Sequence, residues 1–126
     1  MFDSCKAALL SAVLVAGSAH AQQTAAPLDG RQIFARCATC HSVAPGGDGV
    51  GPSLAGILNR PAASEPGFRY SRALKNSGIT WDAATLDAYL TNPQQRVPGN
   101  HMAFSGIADP AERAALIDYL RHPATP

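Results

Sequence analysis

The sequence predicts an all-α fold: a small domain of about four to five helices joined by long loops. Three observations carry that reading. Apolar residues recur at three- and four-residue intervals behind Asp29, Thr80 and Asp109, which is the spacing of one helix face. Stretches rich in glycine and proline, Pro45 to Pro52 above all, separate these runs and suit neither helix nor strand. No turn dipeptide sits between two alternating apolar runs, so there is no hairpin signal. The 126 residues make about one domain, without internal repeats or low-complexity tracts.

The domain is organised around Cys37-Ala38-Thr39-Cys40-His41. CxxCH is the attachment pattern of a c-type haem. On a helical segment, positions three and four apart share a face. Two thiols can therefore add to the two vinyl groups of one porphyrin while the neighbouring imidazole reaches its iron. CxxC also occurs in thioredoxin-like and zinc sites. The first needs a βαβ pattern, which is absent. The second needs further ligands at compatible spacing, and the next histidines, His101 and His122, lie far downstream and apart.

Composition agrees. Net charge is +1, which gives no basic surface for nucleic acid and no acidic one. Aromatics make up 6% of the chain, so the protein core is modest and a buried haem would supply apolar surface. Apart from Cys5, both thiols lie in the one motif, so there is no disulfide framework.

Residues 1–21 resemble a secretory signal peptide. Lys6 precedes the apolar run Ala7–Ala19, and Ala19-His20-Ala21 matches a small-x-small cleavage site. The run is short of the roughly 20 residues needed to cross a bilayer, so a retained anchor is the weaker alternative. The expected layout is a signal peptide over 1–21, a leader over 22–28, the domain over 29–122 and a tail over 123–126. Export to the periplasm, an oxidising compartment, suits thiols destined for haem.

Along the body, Asp29 is the expected N-cap of a helix over about 30–40, with Ile33, Phe34 and Cys37 at helical spacing. The loop Pro45–Pro52 lets backbone pass close to a flat ligand. Residues 54–67 are irregular, with a short turn. Ser71 to Asn76 forms a short helix stopped by Gly78. Thr80 caps the next helix, with Asp82 in its first turn, Ala83, Leu86, Tyr89 and Leu90 on one face, and Pro93 ending it. Residues 94–106 form a loop. Asp109-Pro110-Ala111-Glu112 supplies cap, proline and acid for a last helix bearing Leu116, Ile117, Tyr119 and Leu120.

Beyond the initiator, the chain holds one methionine, Met102. It lies on the loop 94–106, which can fold over the haem face opposite His41. A thioether ligand favours reduced iron and raises the potential. The rival ligand is its neighbour His101; a core gap-filler is the ordinary role of a methionine.

Together these residues resemble class I cytochrome c, over Gly30 to Leu120. Gly30 and Phe34 match the family's N-terminal helix, and Leu116 and Tyr119 match the facing positions of its C-terminal helix. Pro66-Gly67-Phe68-Arg69-Tyr70-Ser71, Gly78-Ile79-Thr80-Trp81, Asn92-Pro93, Pro98-Gly99 and Met102-Ala103-Phe104-Ser105-Gly106-Ile107 match further family stretches.

The resemblance implies a class I cytochrome c fold wrapped around one haem c, covalently bound through Cys37 and Cys40, with His41 and Met102 on the iron. It implies that the Pro52 carbonyl orients His41. It places Arg60, Tyr70 and Trp81 around the haem propionates and Tyr89 near the methionine sulfur. Asn100 stands where the family usually has threonine, and can still donate. Leu74 replaces an asparagine common in mitochondrial members.

The implied function is one-electron transfer between periplasmic or membrane oxidoreductases, without enzymatic activity. Partners would be redox proteins such as a cytochrome bc complex, a terminal oxidase or a periplasmic dehydrogenase, and the chain would be a monomer. Two alternatives stand beside it: a peroxidase-like or ligand-binding haem protein, and a dedicated electron-accepting subunit of a dehydrogenase. Mitochondrial members ring the haem edge with lysines, whereas this chain keeps only Lys75 beyond the first 21 residues. Weak electrostatic steering is expected.

Overall fold

A computed structural model describes residues 26–47 and 49–123. The expected signal peptide, most of the leader, Asp48 and the end of the tail lie outside the described residues. The fold is all-α, with five helices among the described residues, in chain order: α1 (Gly30–Phe34), α2 (Arg72–Lys75), α3 (Ala83–Thr91), α4 (Pro93–Arg96) and α5 (Pro110–Arg121). The one pairing of extended backbone among the described residues is an isolated antiparallel bridge between Pro61 and Thr80.

The Asp29 side chain caps α1 by accepting from the Arg31 amide at 2.9 Å. Regular helix stops at Phe34, earlier than the sequence suggests. From Ala35 to Cys40 the chain winds on as turns. Several of its bonds span three residues, among them Cys37 N–H to the Phe34 carbonyl at 2.8 Å and Cys40 N–H to the Cys37 carbonyl at 3.0 Å. This is tighter, 3₁₀-like winding.

The cap of α3 is Asp82, not Thr80. Its carboxylate accepts from the Thr85 amide at 2.7 Å, and that bond holds its pKa below the usual value. Thr80 is diverted to the bridge with Pro61, and its carbonyl accepts from the Thr85 hydroxyl at 2.6 Å. Pro93 also differs from expectation. It does not merely close α3 but opens α4, with Asn92 as cap. Proline lacks the N–H that the first helical position would leave unpaired, so the residue that stops one helix starts the next.

Asp109 caps α5 by accepting from the Ala111 amide at 2.8 Å. Glu112, the acid of that helix start, turns to Arg36 in a two-pronged pair at 2.8 and 2.9 Å.

The core sits where α1 crosses α5. A β-carbon on Gly30 would collide with the Ala115 carbonyl and the Tyr119 β-carbon, so only glycine allows this approach. The Phe34 and Tyr119 rings lie 5.5 Å apart. α3 packs against the same helix. There the buried Arg113 donates to Asp87 at 2.7 Å and to the carbonyls of Ile107 and Ala108 at 2.8 and 2.9 Å. These bonds tie α3, α5 and the loop between them into one frame around a cavity.

Candidate functional site

The cavity is about 460 Å³, within the range of about 300–1,000 Å³ usual for ligand pockets. Its lining brings together all the site residues singled out from the sequence: Cys37, Cys40, His41, Pro52, Arg60, Tyr70, Trp81, Tyr89, Asn100 and Met102. The walls are apolar, from Leu54, Ile57, Leu86, Leu90, Leu116 and Leu120 among others.

No disulfide joins Cys37 and Cys40. Burial pushes the Cys37 thiol above its ordinary pKa. A thioredoxin-like cysteine needs the opposite shift, because the thiolate is the nucleophile. Among the described residues no three His, Cys, Asp or Glu side chains converge as metal ligands, so the motif lacks the donor set of a protein-only zinc site.

His41 is fixed by its loop. Nδ1 lies 2.7 Å from the Pro52 carbonyl. A carbonyl only accepts, so Nδ1 carries the proton and Nε2 keeps its lone pair for a metal. Gly51 passes against the ring: a β-carbon there would stand 2.5 Å from Cε1. Gly49 is equally close to the Cys40 carbonyl.

Met102 is held by Asn100. The Asn100 Oδ1 accepts from the Met102 amide at 2.8 Å, and Nδ2 donates to the Pro93 and Val97 carbonyls, each at 2.9 Å. Both amide hydrogens are thereby spent. Asn100 thus steadies the loop that carries Met102. The Tyr89 hydroxyl lies 4.0 Å from the Met102 sulfur. Burial raises the pKa of this tyrosine to about 12, so it is a neutral donor at physiological pH.

At another part of the lining, the buried Arg60 Nε has no hydrogen-bond partner. An unmet buried donor is costly and suits an acceptor supplied by a ligand. The Tyr70 hydroxyl accepts from the Glu65 amide at 3.1 Å, which leaves its own hydrogen to donate. Burial raises the pKa of Tyr70 and keeps it protonated. Trp81 stands beside Tyr89, their rings 4.9 Å apart, and its indole can only donate. Two thiols, one imidazole nitrogen, a thioether, apolar walls and unspent donors fit a flat apolar macrocycle that bears carboxylates.

Sequence reasoning passed over Arg113, because nothing in a helical pattern marks a buried arginine. It also passed over Glu65, whose contacts form across a turn.

Comparison with known proteins gives the same picture. The family model for cytochrome c matches residues 28–123. Cytochrome c2 of Rhodomicrobium vannielii is 47% identical over 116 residues, covering 91% of this chain and 92% of its own. Cytochrome c2 of Rhodoblastus acidophilus is 50% identical over 95 residues, covering 75% and 89%. Among solved structures, cytochrome cH from Methylobacterium extorquens superposes with a TM-score of 0.69 at 42% identity, covering 73% of this chain and 93% of that one.

Proposed function

Since the chain belongs to the class I cytochrome c family and carries haem c on its two motif cysteines, we propose that it is a one-electron carrier with His41 and Met102 as the axial ligands of the iron. Bound haem supplies a ferric/ferrous couple. The chain's own residues do the rest. The Pro52 carbonyl holds the His41 proton on Nδ1 and frees Nε2 to ligate. Asn100 holds the Met102 backbone amide, and the Tyr89 hydroxyl reaches its sulfur. Arg60, Tyr70 and Trp81 offer donors to the two carboxylates. The apolar lining excludes water, so the surroundings reorganise little as charge changes.

The single observation that supports this best is the company of Met102. It lines the same cavity as His41 and the two cysteines, and its amide and sulfur both meet residues that hold it in place. Were His41 and Met102 both to hold the iron, no position would be open for a substrate, which favours shuttling over oxygen or peroxide chemistry. We further propose export to the periplasm with removal of residues 1–21, and transient contacts with redox proteins such as a cytochrome bc complex, a terminal oxidase or a periplasmic dehydrogenase. No helix among the described residues is long and apolar enough to cross a membrane.

The test is the ferric absorption spectrum of the natural protein and of Met102→Ala. The natural protein should show a weak sulfur-to-iron charge-transfer band in the far red and, once reduced, resist carbon monoxide. The variant should lose the band, bind carbon monoxide and fall in midpoint potential. An unaltered spectrum and potential would overturn the ligation. Amino-terminal sequencing of the exported protein should begin at Gln22.

A further inference from the structure

Arg60 does not meet the cavity alone. Its Nη2 donates to the Ser53 carbonyl at 2.7 Å, and its Nη1 donates to the Ala55 carbonyl at 2.8 Å and to the Glu65 carboxylate at 3.1 Å. Both side chains of the pair are about four-fifths buried. Glu65 is also the residue whose backbone amide meets the Tyr70 hydroxyl. One residue thus touches both of these donors. Its place is set by its surroundings. The Ser64 hydroxyl donates to the Pro61 carbonyl at 2.6 Å just before it, and the positive φ of Gly67 turns the chain just after it.

We infer that Glu65 is a positioning residue that lowers the reduction potential, by neutralising Arg60 through its carboxylate while its amide aims the Tyr70 hydroxyl at the haem carboxylates. The inference rests on the reading that those carboxylates meet Arg60 and Tyr70. A lone guanidinium beside the haem favours the ferrous state, which carries one positive charge fewer. A carboxylate on that guanidinium cancels the preference. Because both partners are largely buried, the cancellation is less screened by solvent than at an exposed pair.

The experiment measures midpoint potentials of holoprotein variants. Glu65→Gln keeps the amide and the shape and removes only the charge. A unit charge acting over roughly 10 Å at an effective dielectric of about 50 changes an equilibrium about threefold. The potential should therefore rise by about 28 mV, since tenfold is 59 mV for one electron. Glu65→Asp, which retains the charge, should restore most of the original value. An unshifted Glu65→Gln overturns the inference.

Tyr70→Phe separates this failure from failure of the underlying reading. It removes a donor to the haem carboxylates and should lower the potential. If Tyr70→Phe shifts and Glu65→Gln does not, Glu65 has no tuning role and the carboxylates still lie beside Tyr70. If neither variant shifts, the placement of the carboxylates falls as well.

Discussion

A β-carbon at residue 51 would stand 2.5 Å from Cε1 and 2.7 Å from Nδ1 of His41, so Gly51 is the backbone wall against which the imidazole rests. The same stretch supplies the Pro52 carbonyl that accepts the hydrogen bond from Nδ1–H. Ring orientation and tautomer are thus set by two consecutive residues of a loop.

Gly51→Ala should push the imidazole off its bond to Pro52. Overpacking of this kind costs about 1–3 kcal/mol, and here the displaced group is the proposed iron ligand. Holoprotein yield should drop, and the ferrous form should bind carbon monoxide. Normal yield and spectrum would show that the loop can yield at no cost.

Tyr89 gives a pH dependence. It is 7% exposed, and burial raises its pKa to about 12. Unfolded, a tyrosine titrates near pH 10. Between about pH 10 and 12 the folded state keeps a proton that the unfolded state has lost, so stability falls as pH rises through that window. The contribution is complete below about pH 10 and amounts to about 2 kcal/mol. Tyr89→Phe has no proton to lose. Urea titrations at pH 9 and pH 12 should show a smaller alkaline loss for the variant; an equal loss would remove Tyr89 from the account.

Gly30→Ala tests the crossing of α1 and α5. The new methyl meets the Ala115 carbonyl and the Tyr119 β-carbon, and neither can swing away as a long side chain would. We expect a loss of about 2 kcal/mol, read as a lower thermal midpoint of the holoprotein. Stability equal to that of the natural protein would mean that the two helices can separate without penalty.

Of the three arginines that line the cavity, Arg36 is tied to Glu112 and Arg60 to Glu65, while Arg69 makes no ion pair among the described residues. With Lys75 as the single lysine after residue 21, steering of a redox partner should be weak. The bimolecular electron-transfer rate should change less than about threefold between roughly 20 and 200 mM salt. A steep decline with salt would contradict this.

The helical class, the caps Asp29 and Asp109 and the attachment motif were legible in the sequence alone, because each is signalled by residue type at short, regular spacing. The sequence did not reveal that Pro93 opens α4, that Asp82 displaces Thr80 as a cap, that Asn100 spends its amide on carbonyls, or that Glu112 leaves its own helix for Arg36. Those outcomes were decided by tertiary structure. A hydrogen-bonding group takes whichever partner the folded chain brings within about 3 Å, and residues such as Arg60 and Glu65, or Arg113 and Asp87, meet across turns and between helices whose approach is set only once the core has packed.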